Sequence, residues 1–317
     1  STYHSQNQYS NAITAYQNFI KNNPKSVYVK QAYNKMALAY FNTQDEENAI
    51  KYFKYVFETY PGSQEAIDAL TNLENIYADH ATTGEFFDYI RTKNMNYSET
   101  KQDSVSFKAA ENKYMRGDCQ AAIKGYEDYL RQFPNGMFAA TAYFNKGECE
   151  FGMKDYSNAL VSYEALLAKY NTNNNEVAIH NCAFILYSKN EFQRALVYFN
   201  KLIELGSTQD NIIYGHNGAM RCNFELKDYR NCLISAEYII NGNQIEEELK
   251  NDAIIFAGRS AYELNENITA KKYFGMLATM GNNDICSEAA YKQAEIEFKE
   301  NNLPEAEKLI KKIIGGN

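Results

Sequence analysis

The sequence contains no tryptophan, and only four of its 317 residues are proline. So few prolines, with only 16 glycines, are unusual for a β-rich protein, which needs many turns, and an all-helical chain is expected. Acidic residues outnumber basic ones by 40 to 32. This balance argues against binding to nucleic acid or to an anionic membrane, since both need a basic face. No apolar run approaches the roughly 20 residues that cross a bilayer, so no direct membrane insertion is expected.

The same pattern of residue sizes returns every 36 to 38 residues along the chain. A small residue is followed by a large or aromatic residue four positions later, and usually by another large residue seven positions later. Positions 0, 4 and 7 share one face of an α-helix, so each small residue anchors an amphipathic helix, here called the anchor helix. The nine anchors are Ala12, Ala49, Phe86, Ala122, Ala159, Ala195, Cys232, Ala270 and Ala306.

A second amphipathic helix, here called the leading helix, precedes each anchor helix. Small residues such as Ala37 and Ala110 recur twelve positions before the anchors, and aromatic residues recur eight positions before them. Small residues on both helices let the two backbones approach closely. Proline, which cannot continue a helix, ends the anchor helix at Pro24, Pro61 and Pro134. Each repeat therefore predicts one antiparallel pair of helices.

This recurring small–aromatic–small–aromatic–proline pattern resembles the tetratricopeptide-repeat family over essentially the whole chain. The resemblance implies an all-α, right-handed superhelix, or α-solenoid, of stacked antiparallel helix pairs. It would comprise about 8.5 repeats and form a single domain over residues 1–317.

The period is longer than the ~34 residues usual for this family. The additional residues follow the proline, as in Pro24-Lys25-Ser26 and Pro61-Gly62-Ser63. This lengthening is similar to the modules of bacterial envelope proteins, namely the outer-membrane assembly lipoproteins and the periplasmic coordinators of the Tol–Pal system. It implies a location in the bacterial periplasm or cell envelope, with the cytoplasm as the alternative.

The repeat pattern is irregular in two places. Only eleven residues precede Ala12, so the chain is expected to start inside a repeat and to be a fragment of a longer protein. In the repeat around Phe86, both Glu74 and Lys93 stand where small or apolar residues are expected. The polar stretch 94–104 that follows lacks periodicity. This stretch is predicted to be a longer loop, and the degenerate repeat is predicted to contain a possible bend at about residues 79–104.

No constellation of catalytic residues is recognisable. The sequence lacks the motifs of nucleotide binding, zinc proteases and serine hydrolases, its four histidines show no ligand spacing, and its six cysteines form no CxxC pair. His180 and His216 fall at nearly equivalent places on successive leading helices and are interpreted as core or solvated histidines. Cys222 and Cys232 are the one pair considered for a disulfide. We expect no enzymatic activity, no metal site and no cofactor.

The family resemblance implies that residues eight, eleven and fifteen positions before each anchor point toward a concave groove that holds a partner peptide. Aromatic residues at these positions could form a stacking ladder for a partner chain, or could simply pack between helices. Arg221 and Arg259 could hold ligand carboxylates, or could pair with Glu225 and Glu263 four residues further on. The predicted groove residues are Phe107, Tyr114, Phe144, Phe151, His180, Phe184, Tyr187, Asn217, Arg221, Phe224, Arg259 and Tyr262.

These observations favour a noncatalytic scaffold that binds a protein or peptide partner in the groove. Two alternatives stay open at this point. The repeats could be a structural, self-assembling segment, or they could be the regulatory arm of an enzyme domain that lies elsewhere in a longer chain.

Overall fold

A computed structural model describes residues 2–80, 82–279 and 284–314. Within these ranges the regular structure is entirely helical, which confirms the all-α class. One helix is followed by eight leading–anchor pairs, as 8.5 repeats require. The helices are α1 (Thr2–Asn22), α2 (Val29–Asn42), α3 (Glu46–Thr59), α4 (Gln64–Asp79), α5 (Thr83–Thr92), α6 (Glu99–Met115), α7 (Cys119–Gln132), α8 (Ala139–Gly152), α9 (Tyr156–Lys169), α10 (Asn175–Ser188), α11 (Phe192–Leu205), α12 (Gln209–Glu225), α13 (Tyr229–Asn241), α14 (Glu247–Glu263), α15 (Asn267–Leu277), α16 (Asp284–Lys299) and α17 (Leu303–Ile314).

The helices pack into two compact units, an N-terminal unit (Ser1–Lys154) and a C-terminal unit (Asp155–Asn317). Within each unit every helix packs against the next one along the chain, and each leading helix also contacts the leading helix of the following repeat. This pattern of contacts is that of stacked helical hairpins. A single superhelix over residues 1–317 stays a prediction.

The anchors form the centre of the core in both units. Ala49, Phe86, Ala122, Ala159 and Ala195 are completely buried. The residue seven positions after the anchor is also buried in most repeats, as at Val56, Tyr129, Leu166, Leu202, Ile239 and Leu277. A fully buried side chain of this size contributes about 1.5–3 kcal/mol to stability. The period found in the sequence is therefore the period of burial.

The turns from leading helix to anchor helix share one backbone feature. The residue five positions before the anchor has a positive φ, between 58° and 76°, at Gln44, Gly117, Lys154, Asn190, Lys227, Asn265 and Asn301. A left-handed residue at this place ends a helix. The next residue is often an aspartate that caps the anchor helix: the side chains of Asp45, Asp118, Asp155 and Asp228 accept a hydrogen bond from the backbone N–H three residues on.

The prediction of a longer loop over residues 94–104 is wrong. Helix α6 begins at Glu99, and the Ser98 side chain caps it by accepting a hydrogen bond from the Lys101 backbone N–H at 3.2 Å. The connection 93–98 is no longer than the connection 133–138 between α7 and α8. The first turn of α6 is polar because its side chains face solvent or neighbouring polar groups, so it carries no apolar period. The irregular element is α5, which has only 10 residues.

Candidate functional site

All twelve predicted groove residues lie on leading helices, as the repeat pattern predicts. Four belong to the N-terminal unit, on α6 and α8, and eight belong to the C-terminal unit, on α10, α12 and α14. Most are half-buried, including Phe144 and Phe151 on α8. Phe184 is the most open of them, with 40% of its surface exposed.

In the N-terminal unit, the predicted groove rings on α6 pack against other rings of the core. The Phe107 ring stacks on Phe138 with centroids 4.6 Å apart and meets Tyr129 edge-on at 5.5 Å. The Tyr114 ring lies edge-on to Tyr126 at 6.4 Å. Both rings therefore contribute to packing within their own repeat and with the connection that follows it.

The C-terminal unit shows the same arrangement. The Tyr187 ring meets Phe199 of the following anchor helix edge-on at 6.2 Å, and the Phe224 ring meets Tyr229 at 5.7 Å. Tyr262 lies 6.4 Å from Phe274. These contacts run from a leading helix to the anchor helix of the same repeat, which favours packing over an open stacking ladder.

Arg221 and Arg259 each form an ion pair with the next leading helix. The Arg221 guanidinium donates to the Asp252 carboxylate on α14 and lies over the Phe256 ring, 5.3 Å from its centroid. The Arg259 guanidinium donates two hydrogen bonds to Glu288 on α16, at 2.9 and 2.5 Å. These hydrogen bonds lower the pKa of the Glu288 carboxyl and raise that of Arg259. The two arginines are therefore already paired with carboxylates of their own chain.

The alternative in which Glu225 and Glu263 neutralise the two arginines is wrong. These glutamates are the last residues of α12 and α14, where their side chains are exposed. Side-by-side packing of leading helices instead places the position eleven before one anchor against the position eighteen before the next. The acids Asp252 and Glu288 occupy that later position. An arginine followed about 30 residues later by an acid is the sequence signal that would have found them.

These ion pairs lie at the surface and can exchange partners. The Arg221 and Asp252 side chains are 31% and 42% exposed, and those of Arg259 and Glu288 are 38% and 37% exposed. Exposed pairs contribute only about 0–1 kcal/mol, because water screens both charges. A partner carboxylate or basic side chain could therefore replace one member at little cost.

His180 and His216 each stack on a tyrosine. The His180 ring lies 4.1 Å from the Tyr214 ring, and the His216 ring lies 3.7 Å from the Tyr238 ring. Burial lowers the pKa of both imidazoles. Across the described residues, no cluster of three or more His, Cys, Asp or Glu side chains is arranged to hold a metal ion. Both histidines serve as aromatic packing groups that are neutral at pH 7.

A His216→Phe substitution is expected to reduce the loss of stability on acidification. The pKa of His216 is below its ordinary value of about 6.5 in the folded chain, so the unfolded chain binds the proton first as pH falls. The neutral ring makes its full contribution to the free energy of unfolding above pH 6.5. This contribution falls as the pH is lowered from 6.5 to the pKa of His216 in the folded chain. Phenylalanine keeps the stacking on Tyr238 but cannot titrate. Melting temperatures between pH 7 and pH 5 measure the effect, and an unchanged pH slope in the His180→Phe/His216→Phe double variant would contradict it.

The pair Cys222 and Cys232 forms no disulfide. All six are free thiols, including the pair Cys222 and Cys232, and five of the six are buried. Burial raises the pKa of Cys222 to about 12 and that of Cys232 to about 11. The thiolate, which is the reactive form, is therefore scarce at neutral pH at both positions.

A cleft of ≈ 840 Å³ in the N-terminal unit was not predicted from the sequence. It lies between the N-terminal half of α4 and the connection from α5 to α6. Ile67 and Met95 line its apolar part, and Lys93 and Lys101 lie at its edge. The degenerate repeat around Phe86 is a sequence signal that points to this region.

Comparison with known proteins identifies the repeats. Models described as tetratricopeptide repeat match residues 107–174 and residues 1–26 and 31–63. No curated protein matches the chain. None of the described helices combines the length and apolar composition needed to cross a membrane.

Several solved structures are similar to the chain at low identity. A tetratricopeptide repeat protein from Parabacteroides merdae is 14% identical, with 90% of this chain and 92% of that chain covered and a TM-score of 0.32. PilF from Pseudomonas aeruginosa is 14% identical, with 85% and 97% covered and a TM-score of 0.37. A STAND signal-transduction ATPase from Pyrococcus horikoshii with a tetratricopeptide-repeat sensor is 12% identical, with 99% and 48% covered and a TM-score of 0.38. Likeness at this level carries no conclusion about function.

Proposed function

Because this chain belongs to the tetratricopeptide-repeat proteins, we propose that it is a noncatalytic scaffold that binds a partner polypeptide on its leading helices. Repeats of this family generally mediate protein–protein interaction, and their fold is typically noncatalytic. The observation that carries the proposal is the surface of α10, α12 and α14. There the half-exposed Phe184 on α10 lies on the same set of helices as Arg221 on α12 and Arg259 on α14, the arginines of the two exchangeable ion pairs. No cofactor is required.

Within this surface, His180, Phe184, Asn217, Arg221 and Arg259 are the proposed contact residues of the C-terminal unit. The half-exposed ring supplies an apolar anchor, of the kind that often dominates the energy of an interface. The arginines, freed from Asp252 or Glu288 by exchange, supply charged hydrogen bonds to a partner carboxylate. In the N-terminal unit, the half-buried Phe144 and Phe151 on α8 are the proposed contacts, since Phe107 and Tyr114 pack against rings of the core.

The proposed location is the bacterial periplasm or cell envelope, on the strength of the 36–38-residue period. Cell fractionation of the source organism, with antibody detection of this chain, tests it. Recovery with cytoplasmic markers alone would contradict the envelope assignment.

A self-assembling role is the second candidate, and one observation favours it. Val161, Val197 and Ile234 lie two positions after three consecutive anchors and are 63%, 53% and 54% exposed. They present an apolar residue at the same place on α9, α11 and α13. Concentration-dependent oligomers in analytical ultracentrifugation that disappear on Val197→Glu would support this candidate. A strict monomer would count against it.

The scaffold function is tested by affinity capture from a lysate of the source organism, followed by mass spectrometry. The intact chain is compared with a Phe184→Ala/Arg221→Ala/Arg259→Ala variant and with a control, Val161→Ser/Val197→Ser, that alters exposed residues of the anchor helices. We expect one protein to be captured by the intact chain and by the control, and to be reduced at least about tenfold by the triple variant.

All three chains must show the same helical circular dichroism and the same melting behaviour. Equal capture of the same proteins by all three chains would refute the proposed surface. Turnover of a substrate by the purified chain would refute the noncatalytic assignment.

A further inference from the structure

The cleft beside α4 exists because the repeat around Phe86 is built differently from its neighbours. Helix α5 ends at Thr92, and the chain turns at Asn94, whose φ is +58°. The segment that follows brings the Tyr97 ring back over the core, 5.7 Å from the Phe86 ring. The position seven after the anchor, which is apolar and buried in most other repeats, is Lys93. No buried apolar side chain at this position therefore fills the space between this segment and α4.

The residue at one position of α4 also leaves this space open, because it differs from the residue at the equivalent position of two other repeats. Nineteen residues before the anchor, two other repeats carry an acid that binds the connection to the next repeat. Asp103 accepts a hydrogen bond from the Met137 backbone N–H at 2.7 Å, and Glu176 accepts one from the Ser207 backbone N–H, also at 2.7 Å. Ile67 occupies this position on α4 and cannot accept a hydrogen bond. Its side chain is 56% exposed in the cleft instead.

The cleft has an apolar side, and its volume is that of a ligand site. Ile67, Leu70 and Met95 line it, together with Phe57 at the end of α3. Its volume of ≈ 840 Å³ falls within the range of about 300–1,000 Å³ that is usual for ligand sites. Exposed apolar surface in such a concave site is stabilised when a partner covers it.

The two lysines at the edge of the cleft are paired with glutamates but keep unused N–H donors. Glu58 accepts hydrogen bonds from the Tyr89 hydroxyl at 2.9 Å and is paired with the Lys93 ammonium at 3.0 Å. Glu74 accepts hydrogen bonds from the Tyr97 hydroxyl and the Lys101 ammonium, both at 3.0 Å. An ammonium carries three N–H groups, so both lysines keep donors that these carboxylates do not use.

The charge near the cleft is also positive on balance. Lys54 lies over the Tyr89 ring, 4.4 Å from its centroid, and adds a third ammonium to those of Lys93 and Lys101. Among the residues that line the cleft, Lys93 and Lys101 balance Glu58 and Glu74, and Lys54, which acts on Glu58 from outside the lining, adds one positive charge. The Lys93 and Lys101 side chains are 35% and 49% exposed, so a ligand can reach them.

We propose that this cleft binds a short peptide segment of a partner protein in which a large apolar side chain lies next to an aspartate or glutamate. The apolar side chain covers Ile67, Leu70 and Met95. The side-chain carboxylate accepts hydrogen bonds from Lys93 and Lys101. This site belongs to the N-terminal unit and shares no residue with the surface of α10, α12 and α14, so either site can fail without the other.

A display experiment tests the chemistry without knowledge of the natural partner. Random 12-residue peptides, displayed with their C-termini fused to a phage coat protein, are selected on the full chain. The same selection is run on Ile67→Glu, which places a carboxylate in the apolar side of the cleft where it competes for the lysine donors. The matched control is Ile268→Glu, which makes the same exchange at an exposed isoleucine on α15.

We expect the intact chain and Ile268→Glu to enrich the same peptides, in which Leu, Ile, Phe or Met adjoins Asp or Glu. The Ile67→Glu chain should not enrich them. For an enriched peptide made synthetically, fluorescence anisotropy should give a dissociation constant at least about tenfold weaker for Ile67→Glu, since the apolar contact is lost. Lys101→Ala, or an Asp→Asn or Glu→Gln change in the peptide, should weaken binding about threefold to tenfold.

Four outcomes would overturn the proposal. They are an absence of enrichment above the Ile67→Glu background, enriched peptides that bind Ile67→Glu as well as the intact chain, enrichment of basic instead of acidic residues, and binding that depends on a free C-terminal carboxylate. The last is checked with acid and amide forms of the same peptide. Equal helicity and melting temperature of the variants exclude misfolding as the cause.

Discussion

Replacing Asp103 with alanine is expected to lower the free energy of unfolding by about 3 kcal/mol. The Asp103 carboxylate is only 7% exposed, and it accepts hydrogen bonds from the Tyr129 hydroxyl at 2.5 Å and the Met137 backbone N–H at 2.7 Å. Hydrogen bonds to a charged group contribute more than neutral ones, and their loss leaves two donors without this acceptor in a buried site. The midpoint of urea-induced loss of helical circular dichroism measures the change.

Two further variants show whether the hydrogen bonds are the cause. Asp103→Asn keeps one acceptor oxygen and should cost less than alanine. Tyr129→Phe and Asp103→Ala both remove the hydrogen bond between these two side chains, so the double variant should be less destabilised than the sum of the two single changes. Strict additivity, or an unfolding midpoint unchanged by Asp103→Ala, would show that water satisfies these groups instead.

Gly218→Ala is expected to destabilise the chain by about 2 kcal/mol, although alanine favours helices. Gly218 lies inside α12, and a Cβ atom there would stand 2.1 Å from Cε1 of the Phe199 ring. On an open helix the same change would stabilise by about 1 kcal/mol. Steric conflict outweighs this gain because Phe199 is itself 2% exposed and has no free space to enter.

A matched glycine provides the control. A Cβ atom at Gly84 in α5 would meet nothing within 4 Å, so Gly84→Ala should be neutral or stabilising. Phe199→Leu in the Gly218→Ala chain should recover part of the loss, since it removes the ring that the new methyl group meets. Urea unfolding of the two single variants and the double variant forms a mutant cycle. Equal effects of Gly84→Ala and Gly218→Ala would contradict the steric explanation.

The helices and the core could be predicted from the sequence because burial repeats with a fixed period. Ala159 and Leu166, predicted to share a buried face, are both completely buried in α9. The left-handed turn residues could not be predicted in the same way. Lys154 and Lys227 have positive φ values with no glycine to signal them, since the geometry of the helix pair imposes the conformation.

The candidate sites were predictable only in part. The repeat register placed Arg221 and Arg259 on leading helices, but their acidic partners depend on how one repeat packs on the next. The cleft beside α4 was missed for a related reason. The apolar Ile67 is informative only when it is compared with Asp103 and Glu176. These two acids occupy the equivalent position in other repeats and bind the connection that follows. A comparison of equivalent positions in successive repeats, in place of a search within one repeat, would have found both features.

The contacts between repeats have a consequence for how the protein acquires its structure during synthesis. Among the side-chain hydrogen bonds described, none spans more than 37 positions of the sequence. The bonds from Arg116 to Asp79 and from Lys299 to Tyr262 have this separation. Chains stabilised by contacts this local have a low contact order and fold quickly. A ribosome that adds about 5–20 residues per second releases one repeat roughly every two to seven seconds, which leaves ample time for packing. Each emerging repeat can therefore dock on the preceding one before the next appears, without waiting for the C-terminus.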